Sequence, residues 1–145
     1  MTSSDKQRVV IVPCSGIGKS FGSVSREAAY ELCEELRPDD TRLVALSKLV
    51  LGDSAARETV AQSPAVTIDG CPKMCAAKMV AQSGGTVARE MTVFDAFRRH
   101  KELKPEGIAA LNEEGVKLAR LMAEEIAQAI DEIKQPRDEK GESHA

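Results

Sequence analysis

Arg8-Val9-Val10-Ile11-Val12-Pro13-Cys14-Ser15-Gly16-Ile17-Gly18-Lys19-Ser20 is the stretch from which the fold can be read. Val9 to Val12 are consecutive β-branched residues with no polar alternation. Such a run favours an extended chain and suits a strand packed on both faces, as in the interior of a parallel sheet. The Gly- and Ser-rich turn after it leads to a helix predicted over residues 25–36, with Ala28, Ala29, Leu32 and Leu36 on one face and Pro38 beyond its end. Strand, turn and helix make the first half of a βαβ unit.

The same alternation continues along the chain. Residues 41–47 hold a second apolar run, Leu43-Val44-Ala45-Leu46, read as a strand. Asp53 can cap a helix reaching about residue 62. Ala65-Val66-Thr67-Ile68 is a third strand, closed by Asp69-Gly70. A short helix is predicted from Pro72, with Gly84-Gly85 as its stop, and residues 86–94 form a fourth strand. Residues 95–111 read as a short helix and a connector. Asn112 then caps a helix whose residues Leu118, Met122, Ile126, Ala129 and Ile133 recur at spacings of three and four, until Pro136. The expectation is a single three-layer α/β domain over residues 8–134. Its mostly parallel sheet has about four strands in the order 2-1-3-4, and a long C-terminal helix follows. Residues 1–7 and 135–145 are expected to be disordered.

Composition narrows the function. The formal net charge of −3 argues against non-specific nucleic-acid binding, which needs clustered Lys and Arg to displace counterions. It also disfavours a polybasic membrane anchor, and no stretch approaches the roughly 20 apolar residues of a membrane span. A cytoplasmic protein is expected, in a compartment where structural disulfides are rare. The four cysteines therefore read as metal ligands or reactive thiols.

Three of them converge in this topology. In Asp69-Gly70-Cys71-Pro72-Lys73-Met74-Cys75, Pro72 suits the first helical position, which makes Cys71 the N-cap and puts Cys75 on the same face. The helix N-terminus, with Lys73 and Lys78 nearby in sequence, favours thiolates. Cys14 follows the first strand directly, as Cys71 follows the third. In the order 2-1-3-4 those strand ends flank the switch point at which such folds bind ligands. Cys33, deep in the first helix, is expected to stay apart.

These residues resemble the DGC domain family, named for its Asp-Gly-Cys motif. Asp69-Gly70-Cys71 is that motif, Cys75 its usual companion, and Pro13-Cys14-Ser15-Gly16 is similar to the family's N-terminal signature. The resemblance runs from about Val9 to the last helix. It is close to a methanogen-type branch with Pro-Cys-Ser-Gly-Ile-Gly-Lys and Asp-Gly-Cys-Pro-Lys-Met-Cys. It implies metal binding, with zinc the expected metal. Family members usually carry a further cysteine near the end of the second strand, where this chain has Ala45-Leu46-Ser47. The expected ligands are thus Cys14, Cys71 and Cys75, with Asp69, Ser47 or water at the fourth position. An iron–sulfur cluster is an alternative occupant.

Two rival readings remain. Cys71 and Cys75 could act as a redox pair with Cys14 as third partner, although Cys-x-x-x-Cys is looser than the redox-typical spacing. Gly18-Lys19-Ser20 matches the end of a nucleotide phosphate loop. Pro13, however, stands where that motif needs its first glycine. The helix is also expected only after Gly22, too late for Lys19 to start it. Lys19, Gly16 and Gly18 are instead candidate contacts for a small anionic substrate; a protein partner is the other binding class considered.

Overall fold

The computed structural model describes residues 8–14, 19–70, 73–107 and 110–134. Four strands, β1 (Val9–Pro13), β2 (Thr41–Leu43), β3 (Pro64–Asp69) and β4 (Thr86–Thr92), form one all-parallel sheet in the order β2-β1-β3-β4. The helices are α1 (Ser20–Tyr30), α2 (Leu46–Leu51), α3 (Ser54–Gln62), α4 (Cys75–Gln82), α5 (Val93–Arg99) and α6 (Glu113–Lys134). A π-helical turn, Glu31–Leu36, prolongs α1.

β1 is buried along its whole length, as its β-branched run implies. Val9 and Ile11 pack with Val66 and Ile68 of β3 under α1, α5 and α6. Val10, Val12 and Ala65 face α2, α3 and α4. The two helical layers follow from handedness. Right-handed crossovers that step from β1 to β2 in one direction, and from β2 back past β1 to β3 in the other, put their helices on opposite faces. All the crossover helices run antiparallel to the strands, so α1 and α4 both start at the C-terminal edge of the sheet.

α6 buries Leu118, Met122 and Ile126, together with Ala119, Ala123 and Ile130, against the α1 face. Asn112 caps it, its Oδ1 accepting from the Gly115 N–H at 2.9 Å. Asp53 caps α3 in the same way, through the Ala56 N–H at 2.9 Å. Near the far end of α6, the Arg37 guanidinium forks onto the Asp131 carboxylate at 2.8 and 3.0 Å, tying the π-helical turn to α6.

Four boundaries differ from the sequence expectation. The second strand ends at Leu43, after which Val44 makes one more ladder bond, its N–H donating to the Ile11 carbonyl at 3.0 Å. Leu46 and Leu49 then turn into the core as a helix, because burying both requires helical rather than alternating spacing. β4 stops at Thr92, whose hydroxyl caps α5 by accepting from the Asp95 N–H at 3.1 Å. α1 starts at Ser20 rather than residue 25, and α4 at Cys75 rather than Pro72. The expected stop at Pro136 and both terminal segments lie outside the described residues.

Candidate metal centre

The central strands set the site. Pro13 is in register with Ile68, and the Cys14 N–H continues the ladder by donating to the Ile68 carbonyl at 2.8 Å. Cys14 is therefore fixed beside Asp69-Gly70, at the C-terminal edge of the sheet. Its side chain is buried. The sulfur accepts a hydrogen bond from the Gly70 N–H at 3.2 Å and lies 3.4 Å from Ser25 Oγ in α1.

Asp69 is 1% exposed, and both of its oxygens are used. They accept from the backbone N–H groups of Ala76 at 2.7 Å and Ala77 at 3.2 Å. These are orphan donors at the second and third positions of α4, which an N-cap side chain normally satisfies. Here the residue in the N-cap position is Met74, in the left-handed region at φ 58°, and its side chain makes no cap bond. Asp69 supplies the cap from the strand end instead. Burial pushes its carboxyl pKa up, the two amide bonds and Lys78 pull it down, and Glu90 adds to the rise.

This geometry corrects the expected role of Cys71 as N-cap. Met74 holds that position, and Cys75 is the first helical residue rather than the fourth. Cys75 is exposed, with its thiol free. Cys71 and Pro72 lie outside the described residues.

Gly70 has a packing reason. A Cβ there would stand 3.3 Å from the Gly22 nitrogen and 3.3 Å from the Phe21 carbonyl carbon, both in the first turn of α1. The two residues of the Asp69-Gly70 pair thus divide the work. Asp69 holds α4, while Gly70 lets α1 approach and sends its N–H to the Cys14 sulfur. The N-termini of α1 and α4 consequently border the thiol-bearing edge.

The other predicted residues fall as follows. Lys19, exposed, occupies the N-cap position of α1, and its carbonyl accepts the first helical bond from the Ser23 N–H at 3.2 Å. The expectation that the helix begins too late for Lys19 to start it is therefore wrong. Gly22, a break by its residue type, lies inside the helix, with Gly70 close to its backbone nitrogen. One objection to a phosphate loop falls with this correction. The other, Pro13 in place of a glycine, stands. Gly16 and Gly18 are outside the described residues. Ser47 is exposed in the first turn of α2, a helix that packs against α4. Cys33 sits in the π-helical turn beside Thr41, which pairs with Val9 at the opposite, N-terminal edge of the sheet. Burial pushes its thiol pKa up, partly offset by the hydrogen bond with Thr41.

Sequence reasoning missed Ser25, which touches the Cys14 sulfur. The small residues Gly22, Ser23 and Ser25, spaced through the first turns of α1, were the available signal of a close approach.

A family model described as the DGC domain matches residues 10–133. The chain belongs to the DGC domain family. No curated protein and no solved structure matches it. In this DGC domain, among the described residues, no three His, Cys, Asp or Glu side chains are grouped to hold an ion. Cys71, which follows Asp69-Gly70 directly in sequence, lies outside those residues. The donor chemistry fits a metal. Cys14 and Cys75 bring soft sulfur to this edge, and soft sulfur sets select zinc or iron–sulfur clusters. No helix of the described residues is long and apolar enough to cross a membrane.

Proposed function

We propose that this DGC domain binds one zinc ion through Cys14, Cys71 and Cys75. One observation carries the reading: the Asp69-Gly70 pair that leads to Cys71 also donates a hydrogen bond to the Cys14 sulfur and caps the helix that begins at Cys75. One short backbone segment thereby touches the Cys14 sulfur and holds the start of the helix that carries Cys75, and Cys71 follows it directly in sequence. Asp69 acts in this reading as a brace, its two oxygens accepting the Ala76 and Ala77 amides. Water or Ser47 takes the fourth position. Zinc held by three protein ligands keeps an open place that acidifies a bound water.

Lys19, exposed at the start of α1, gives the site a positive border suited to a small anionic substrate. The chain acts in the cytoplasm without nucleic acid. A second reading, thiol redox chemistry, is favoured by the exposure of Cys75 at a helix N-terminus, where an attacking thiol would sit.

The test is metal content after anaerobic purification of the wild type and four single variants. Wild type should hold about one zinc per chain. Cys14→Ser, Cys71→Ser and Cys75→Ser should each weaken binding by at least about tenfold, and Cys33→Ser should leave it unchanged. A metal-free wild type would favour the redox reading, and equal loss in Cys33→Ser would overturn the assignment of ligands.

A further inference from the structure

We infer that Ser25 is the second hydrogen-bond donor to the Cys14 sulfur and so a positioning residue for the metal–thiolate bond; the inference rests on the zinc reading above. Ser25 lies in the second turn of α1 and is fully buried. Its Oγ stands 2.6 Å from the Gly22 carbonyl oxygen, 3.4 Å from the Cys14 sulfur and 3.4 Å from the Cys14 carbonyl oxygen.

A hydroxyl has one hydrogen to give and two lone pairs to offer. Beside a neutral thiol, that hydrogen goes to the Gly22 carbonyl, the nearest acceptor, and a lone pair receives the S–H. A sulfur bound to a metal has no hydrogen. The hydroxyl then turns, and the O–H donates to the sulfur. The Gly22 carbonyl stays satisfied, because it lies within α1 and accepts the ordinary helical amide. The Gly70 N–H is fixed by its backbone and donates to the same sulfur at 3.2 Å. Two donors from different elements, α1 and the end of β3, thus set where the sulfur sits and how strongly it binds.

A buried helical serine bonded to the carbonyl three residues earlier is common, and its removal is cheap. Alanine is also the better helix former, so Ser25→Ala should fold with an undiminished melting temperature. A purely structural serine would leave the metal site unaffected by this change. The positioning role is read with cobalt(II) in place of zinc, from the thiolate-to-cobalt charge-transfer absorption and chelator competition. Ser25→Ala is expected to bind cobalt about tenfold more weakly, the lower end of losses seen for residues that support metal ligands. Its charge-transfer band should move to lower energy, since the sulfur lone pair loses a stabilising donor. Ser25→Thr, which keeps the hydroxyl, should restore the band position; if its added methyl lowers the melting temperature, the alanine variant alone decides. Wild-type affinity and band position in Ser25→Ala would overturn the inference and leave the zinc reading standing. A wild type with no thiolate–cobalt band would overturn the zinc reading itself, and this inference with it.

Discussion

Removing the carboxylate of Asp69 is expected to loosen the site from its base. Asp69→Ala deletes both acceptors of the Ala76 and Ala77 amides at a position only 1% exposed, where water replaces them poorly. Loss of an N-cap costs up to about 2 kcal/mol, and each buried donor left unpaired costs about 1–3 kcal/mol. Against this, the buried carboxylate is itself held at a cost, as its raised pKa indicates, and the substitution relieves it. The net expectation is a loss of about 2–3 kcal/mol. For a chain of this size that lowers Tm by roughly 6–9 °C. Asp69→Asn keeps one acceptor oxygen for Ala76 but turns an amide group toward the Ala77 N–H, and should fall between wild type and Asp69→Ala. Thermal and urea denaturation of metal-free protein separates the cap from any effect on ligation. Amide hydrogen exchange at Ala76 and Ala77 localises the change to the first turn of α4. An Asp69→Ala variant within about 0.5 kcal/mol of wild type, with both amides still protected, would refute this reasoning.

Two further outcomes follow from neighbouring geometry. Gly70→Ala places a methyl 3.3 Å from backbone atoms of Phe21 and Gly22, which must yield by a few tenths of an ångström; urea melts should show a loss of about 1–2 kcal/mol, with weaker metal binding as Cys71 is displaced. Asp131, whose carboxyl is held below the usual range by its hydrogen bond to Arg37, contributes stability that is present above the ordinary aspartate pKa and lost as pH falls through the lowered value. The pair is partly exposed, so Asp131→Asn should cost about 0.5 kcal/mol at neutral pH, and urea melts in strong acid should show no difference from wild type.

The sheet was legible because β1 carries an unbroken apolar run, β3 one interrupted only by β-branched Thr67, and both sit at its centre. Right-handed crossovers then left few ways to arrange the rest, and the order 2-1-3-4 is the one found. What the sequence hid was set by tertiary contact. Gly22 reads as a helix breaker, yet it lies inside α1, with Gly70 packed against its backbone nitrogen. Pro72 reads as a helix start, but Asp69, reaching across from a strand, decides where α4 begins. Local propensity cannot see a cap supplied from another element. The π-helical turn at Glu31–Leu36, closed by the Arg37 N–H on the Leu32 carbonyl at 2.8 Å, has no periodicity to announce it. Cys14 and Cys71 stand out by following predicted strands, and Cys75 by its spacing from Cys71, whereas Ser25 looks like one more polar helical residue.

X-ray absorption at the zinc edge of anaerobically purified wild-type protein tests the three-thiolate centre most directly. About one zinc per chain is expected, with three sulfur scatterers near 2.3 Å and one lighter atom. In Cys75→Ser the sulfur count should fall to about two. A shell of nitrogen and oxygen alone, four sulfurs, or protein that carries no zinc would contradict that centre.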